Sequence, residues 1–244
     1  MSILNKKKPG LPYLSILKTD MHSHLIPGID DGSGSTDESL NLIYTLHKLG
    51  FSKLIITPHI QGDFFKNTPG IILTGLDALR QAVEKEKIPI TLEAAAEYLI
   101  DDKFMEKYKS GRLLTFNDNF LLVELSFFSP PPNLYEIIFD LQIDGYKIIL
   151  AHPERYSYWH NNFDRYKDLI DRGVYLQINI PSLGGYYQNY GVIKTAKKLI
   201  DNNMVSFLGT DTHNINYLNS IEKALNEKYL KKILKSKKLL NSSL

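Results

Sequence analysis

Two histidines one residue apart open the case for chemistry in this chain: Asp20-Met21-His22-Ser23-His24. Residues two apart in an extended segment project to the same side, so His22 and His24 can reach one ion. An isolated pair of this kind also suits a structural role, and its surroundings carry more weight. Asp30-Asp31-Gly32 comes within a short loop and adds two carboxylates, in a sequence that equally forms an Asx turn. Similar types then recur along the chain. Thr57-Pro58-His59 ends one β-rich run, and Pro58 keeps the chain extended up to His59. Glu97 comes after Ala94, Ala95 and Ala96, whose small side chains allow a crowded centre. Glu124 interrupts the apolar run from Leu121 to Leu125, where a carboxylate is costly unless it is paired or binds metal. An edge-strand glutamate facing water is the alternative. His152 precedes Pro153-Glu154-Arg155, and Asp211-Thr212-His213 repeats the two-apart spacing. His47 stands apart, inside a predicted helix, and reads as structural.

Five imidazoles with four or five carboxylates exceed the needs of one ion. Two or three ions bridged by carboxylates would use them all. Mixed oxygen and nitrogen donors without thiolate favour Mn, Fe or Zn over copper(I), and carboxylate richness tilts toward Mn or Fe. Such a cluster activates a bound hydroxide as nucleophile and clamps the oxygens of a phosphoryl group. Arg155 could then grip the phosphate at two points, the alternative being an ordinary ion pair with Glu154 or a helix carboxylate.

Positioning these residues falls to an alternation of strands and helices. The β-rich runs are Leu14–Thr19, Lys53–Thr57, Ile90–Ala95, Phe120–Leu125, Lys147–Ala151, Tyr175–Ile180 and Val205–Gly209. Helical periodicity marks Asp37–Leu49, Ile71–Glu86, Asn133–Asp144, Asp164–Arg172 and Tyr190–Asn202. Such alternation predicts parallel strands with right-handed crossovers in an α/β fold. Six of the seven runs end in, or run directly into, a ligand-type residue. An open sheet gathers its site at one switch point, whereas a closed barrel brings every strand end to one axis. The expectation is therefore a distorted seven-stranded (β/α) barrel, built as one domain over 1–244, with its site at the C-terminal strand ends. Gly184-Gly185-Tyr186-Tyr187 lacks the spacing of a phosphate cradle and reads as a flexible loop near the barrel mouth.

Composition removes other classes. The 244 residues include no Cys, which excludes disulfides, thiolate metal sites and a cysteine nucleophile. With 29 basic and 27 acidic residues the net charge is +2, so no electrostatic case for nucleic acid arises. No apolar run is long enough to span a membrane, and Met1–Gly10 lacks the apolar core of a signal peptide. A cytoplasmic protein is expected, with residues 1–14 as an N-terminal arm whose Lys6 to Lys8 are solvated.

At these residues the chain resembles the PHP (polymerase and histidinol phosphatase) superfamily. Within it, the chain is similar to the bacterial manganese-dependent protein-tyrosine phosphatases of capsule and exopolysaccharide operons. The shared motifs are DMHSHLIPGIDDG, TPH, AEY, VELS, AHPERY and GTDTHN, in that order between Asp20 and Asn214. The resemblance implies three ions: one held by His22, His24 and Asp211 with Glu97 bridging, one by Glu97, Glu124 and His152, and one by Asp31, His59 and His213. It also implies that Arg155 binds phosphate. The substrate expected is phosphotyrosine, on the tail of a bacterial tyrosine autokinase that controls polysaccharide export. The rivals are a small-molecule phosphatase of the histidinol-phosphate type and a metal-bearing regulatory module without activity.

Overall fold

The computed structural model describes residues 14–111, 113–236 and 238–244. The expected arm, with Lys6 to Lys8, thus lies outside the described residues except for Leu14. That residue is buried, and its N–H donates to Leu49 O at 3.1 Å.

Among the described residues, nine strands lie in chain order: β1 (Thr19–Asp20), β2 (Lys53–Ile56), β3 (His59–Ile60), β4 (Thr91–Ala94), β5 (Glu97–Leu99), β6 (Phe120–Glu124), β7 (Lys147–Ala151), β8 (Tyr175–Asn179) and β9 (Phe207–Gly209). They form two sheets, β1-β2-β4 and β3-β5-β6-β7-β8-β9, and every pairing within them is parallel. Two of the expected runs continue after a short break, since β2 leads to β3 and β4 to β5. The expected run Leu14–Thr19 is different. Residues 14–17 form a turn, closed by Leu17 N–H to Leu14 O at 3.0 Å, and Lys18 takes a left-handed φ of 60° before the strand begins. Its leucines, Leu14 and Leu17, are buried in the main hydrophobic core.

Helices separate the strands as periodicity predicts. The first spans Thr36–Leu49: the Ser35 hydroxyl accepts from Glu38 N–H, and Gly50 closes the helix at a left-handed φ of 114°. The next four are Pro69–Lys85, Leu134–Ile143, Asp164–Asp171 and Tyr190–Asp201, within one or two residues of expectation. Helices at Phe104–Ser110, Ile180–Leu183, Ile215–Ala224 and Lys228–Lys235 add to the expected set. β6 is buried at all five residues, the pattern of a parallel strand covered on both faces.

The first and last strands meet. A parallel bridge joins Ser23 to Thr212, and the amides of His24 and Asp211 donate to Thr212 O (3.0 Å) and His22 O (2.7 Å). Buried Asp20 accepts from Thr210 N–H at 2.9 Å and Thr210 Oγ1 at 2.6 Å. Burial pushes the Asp20 carboxyl up to about 6. Further along the seam, the buried Asn241 amide accepts from Leu208 N–H (3.0 Å) and donates to Thr19 O (3.1 Å) and Leu208 O (2.7 Å). Among the described residues, no helix is long and apolar enough to cross a membrane.

Candidate metal centre

Strand register delivers the side chains. His59 in β3 lies opposite Glu97 in β5, and Leu99 opposite Glu124 in β6. The seam between β1 and β9 sets His22 and His24 against Asp211 and His213. Glu97 sits at the centre. Its Oε2 lies 3.2 Å from His22 Nε2, 3.5 Å from His24 Nε2 and 3.1 Å from His59 Nδ1, while its Oε1 lies 2.9 Å from His152 Nε2. Asp211 Oδ1 lies 3.3 Å and 3.4 Å from the Nε2 atoms of His22 and His24. Glu124 reaches His59 Nδ1 at 3.2 Å and His152 Nε2 at 3.9 Å. Asp31 Oδ1 lies 3.4 Å from both His59 Nε2 and His213 Nε2. All nine expected ligand residues are therefore brought together. They fall into four overlapping groups: His22, His24 and Asp211; His22, Glu97 and His152; His59, Glu97 and Glu124; and His24, Asp31, His59 and His213.

The donors are aimed. His22 Nδ1 contacts Gln177 Oε1 at 2.9 Å, His24 Nδ1 contacts Asp30 Oδ2 at 2.7 Å, and His213 Nδ1 contacts Asp211 O at 2.8 Å. Each partner, as oriented, is an acceptor, so Nδ1 carries the proton and Nε2 presents a lone pair. That leaves His22 Nε2 and His24 Nε2 facing each other at 3.3 Å. Two lone pairs at that separation repel unless a cation or proton stands between them. Glu97 Oε2 and His59 Nδ1 are buried without a hydrogen-bond partner. Such donors suit divalent cations bound by oxygen and nitrogen.

The electrostatics agree. Burial works against the charge on Glu97 and Asp211. The imidazoles of His22 and His59 nevertheless hold Glu97 well below the usual carboxylate range, and those of His22 and His213 do the same for Asp211. Burial likewise opposes protonation of His24 and His59. Asp30 and Asp211 raise His24 well above its ordinary value, and Glu97 and Glu124 push His59 up to about 10.

Backbone strain marks two of the same positions, since His152 and Asp211 adopt left-handed φ values of 35° and 50°. Gly32 meets a different demand. A Cβ there would lie 2.1 Å from His24 O, so only glycine lets the loop carrying Asp30 and Asp31 pass this close.

Arg155 reaches the same place. Its guanidinium lies between the rings of Phe127 (4.4 Å) and Tyr187 (4.5 Å), with Nη1 3.4 Å from Asp211 Oδ2. The alternative pairing with Glu154 does not occur. Glu154 is buried, and its Oε1 accepts from Asn179 N–H (2.9 Å) and Ser182 Oγ (2.6 Å). Arg155, Phe127 and seven of the nine expected ligand residues line one cleft of about 410 Å³, with His22 and His24 fully buried.

Several functional partners escape a reading of the sequence. β8 is the one run that ends in no ligand, yet it supplies the amides that hold two of them. Gln177 Nε2 donates to Asn179 Oδ1 at 2.8 Å, and Asn179 Nδ2 donates to Asp211 Oδ2 at 2.6 Å. Their alternation along β8 is the available signal. Gly184–Tyr187, expected as a flexible loop near the barrel mouth, forms a turn that carries the Tyr187 hydroxyl to 3.2 Å from Asp211 Oδ2. A Cβ at Gly184 would lie 2.1 Å from Ser220 O, so the backbone approach there requires glycine. His160, which stands at no strand end, braces Glu154 O through Nε2 at 2.8 Å. His47 contacts its local turn, with Nδ1 3.4 Å from Phe51 O.

The sequence matches the family described as capsular polysaccharide synthesis, CpsB/CapC, over residues 18–240. The chain belongs to the CpsB/CapC family. It is 29% identical over 197 residues to the tyrosine-protein phosphatase YwqE of Bacillus subtilis, covering 80% of this chain and 77% of that one. It is 26% identical over 203 residues to the tyrosine-protein phosphatase CpsB of Streptococcus agalactiae, covering 80% and 83%. A solved structure superposes with a TM-score of 0.76 and 27% identity, over 87% of this chain and 90% of the other. It comes from work on YwqE of Bacillus subtilis and CpsB of Streptococcus pneumoniae, described as unique metal-dependent tyrosine phosphatases.

Proposed function

We propose that this CpsB/CapC protein is a metal-dependent protein-tyrosine phosphatase. The observation that carries the reading is the convergence of nine ligand-type residues, seven of them lining one cleft, beside a half-buried, stacked arginine. Residues 1–244 act as one phosphoesterase domain, and the two parallel sheets, joined at the Ser23–Thr212 seam, close as a distorted seven-stranded barrel of PHP type. The cleft takes two or three divalent ions, Mn before Fe or Zn. His22, His24 and Asp211 with Glu97 would hold one, Glu97, Glu124 and His152 a second, and Asp31, His59 and His213 a third. When bound, such ions lower the pKa of water and offset phosphoryl charge.

The chain's own residues do the rest. Arg155 holds two phosphate oxygens and keeps its proton, because burial, which opposes its charge, is outweighed by Tyr187 and Asp211. Phe127 and Tyr187 fix the guanidinium plane, so little ordering is left for the moment of reaction. Water supplies the oxygen of the new P–O bond, the bond to the tyrosyl oxygen breaks, and tyrosine and inorganic phosphate leave. A phenol pKa of about 10 makes tyrosine a good leaving group that needs little acid assistance. The enzyme is cytoplasmic, and its substrate is the phosphotyrosine tail of a bacterial tyrosine autokinase controlling polysaccharide export. The family's link to capsule synthesis supports that partner.

The test is hydrolysis of a phosphotyrosine peptide and of histidinol phosphate by Mn-supplemented protein. Preferred turnover of the peptide is expected. Preference for histidinol phosphate, or no turnover of either, would overturn the reading.

A further inference from the structure

The rim of the cleft differs from its floor. Among the described residues, the two most exposed large apolar side chains are Phe128 (94%) and Phe64 (82%), and both line the cleft that holds the ligand cluster. Solvated phenylalanines are ordinary when scattered, but two at the mouth of one charged site are not scattered.

They are carried on separate loops, and both loops are tied. Phe64 lies two residues after Gly62, whose N–H donates to Asp101 Oδ2 at 2.6 Å, and Gln61 N–H reaches across to Phe65 O at 2.9 Å. A Cβ on Gly62 would lie 2.7 Å from Asp101 Oδ2, so the loop packs closely on the Asp101 side chain. Phe128 N–H contacts Ser126 Oγ at 3.2 Å, and three successive prolines, Pro130 to Pro132, stiffen the segment beyond it.

Their neighbours one residue away are already engaged. Phe65 stacks on His59 with centroids 5.4 Å apart and planes 12° from parallel, and Phe127 lies under Arg155. Inner rings thus hold the floor, and outer rings face open space. The cleft is therefore amphiphilic, with Arg155 and a cation-seeking cluster below and bare aromatic faces above. A ligand that satisfies both ends carries a phosphate on an apolar, flat stem.

We infer that Phe64 and Phe128 form the subsite for the aryl ring of the phosphate ester, and so select aryl over alkyl phosphates. The inference rests on the phosphatase reading and adds to it the residues that choose the substrate class. Each ring offers a face or edge to the tyrosyl ring while Arg155 holds the phosphate, so affinity comes from the rim and the charge contacts from the floor.

The experiment uses inert probes, so that it does not depend on turnover. Binding of benzylphosphonate and methylphosphonate to the full-length Mn-loaded protein is measured for wild type, the Phe64→Ala/Phe128→Ala double variant, and Phe128→Tyr. Wild type is expected to favour benzylphosphonate about tenfold, the scale of one ring packed against two others. The double variant should lose that preference while its methylphosphonate affinity and metal content stay unchanged. Phe128→Tyr should retain the preference. An equal preference in wild type and double variant would overturn the inference, as would equal loss of both probes. Failure of the phosphatase reading looks different: aryl preference would persist while the phosphotyrosine peptide is not hydrolysed.

Discussion

Floor and rim of one cleft obey opposite rules. On the floor, His22, His24 and Glu97 are fully buried, and second partners fix the two imidazole rings. At the rim, Phe64 and Phe128 are almost fully solvated. Burial on the floor makes every unpaired donor expensive, so its residue types are tightly constrained. Solvent at the rim makes an exposed ring cheap to keep and cheap to replace. The floor is thus committed to chemistry, whereas the rim is free to choose among substrates.

The sharpest way to break this contrast is Glu97→Gln. A neutral amide at the hub of the cluster is a poor ligand for two cations, so metal content and activity should both collapse. Elemental analysis beside turnover decides it, and full stoichiometry with near-normal rates would remove Glu97 from its central place.

Arg155→Ala should keep metal and fold but lose about 10²–10³ in kcat/KM, the scale for one preorganised charge-stabilising group. Arg155→Lys should recover only part of this, since an ammonium lacks the planar two-point contact. Wild-type kinetics in Arg155→Ala would leave phosphate recognition to the ions alone.

Gln177→Leu tests whether aim matters as much as identity. With the acceptor for His22 Nδ1 removed, metal affinity should fall about 10- to 100-fold, the usual effect of losing a partner behind a ligand. Gln177→Glu, which keeps an acceptor, should recover much of it. Chelator competition reads both, and unchanged affinity in Gln177→Leu would show that His22 is held by packing alone.

The pH dependence comes from the protonated imidazoles. His24 and His59 lie above their ordinary values without cations, so their protons must leave as ions bind. Metal affinity should therefore rise with pH, by about tenfold per unit for each proton displaced. In metal-free protein, the stabilisation from His59 is present below the unfolded value and is lost as pH rises through about 10. Calorimetry in buffers of different ionisation enthalpy measures the protons released. Absence of release near pH 7 would contradict the assignment.

The smallest effect belongs to His47→Gln, a histidine outside the floor. Turnover should stay within a few-fold of wild type, and a collapse with intact folding would show that position along the chain is a poor guide to role.

That last test bears on how much of the molecule is legible in its sequence. Strand ends and the nine residues that converge can be read because polar types are costly inside apolar runs, Glu124 within Leu121–Leu125 being the clearest case, and five helices can be read from apolar periodicity. Gln177 and Asn179 escape notice because neutral amides in a strand draw no attention until their partners are known. Tyr187 escapes because its glycines suggest freedom, when Gly184 answers a close backbone approach instead. Phe64 and Phe128 carry no sequence signal at all. Only the fold shows that two ordinary phenylalanines from distant loops share one mouth.

The seam between β1 and β9 has a kinetic meaning. It joins residues as far apart as Asp20 and Thr210, separated by 190 positions. Contacts of that span carry the largest loop-closure entropy and belong to late steps of folding. His22 and His24 lie on one side of the seam, Asp211 and His213 on the other. With the seam open, the His22, His24 and Asp211 group would be split and His213 parted from His24, Asp31 and His59, while His59, Glu97 and Glu124 would stay together. Cations bound across the seam would, by mass action, hold the two ends of the chain together.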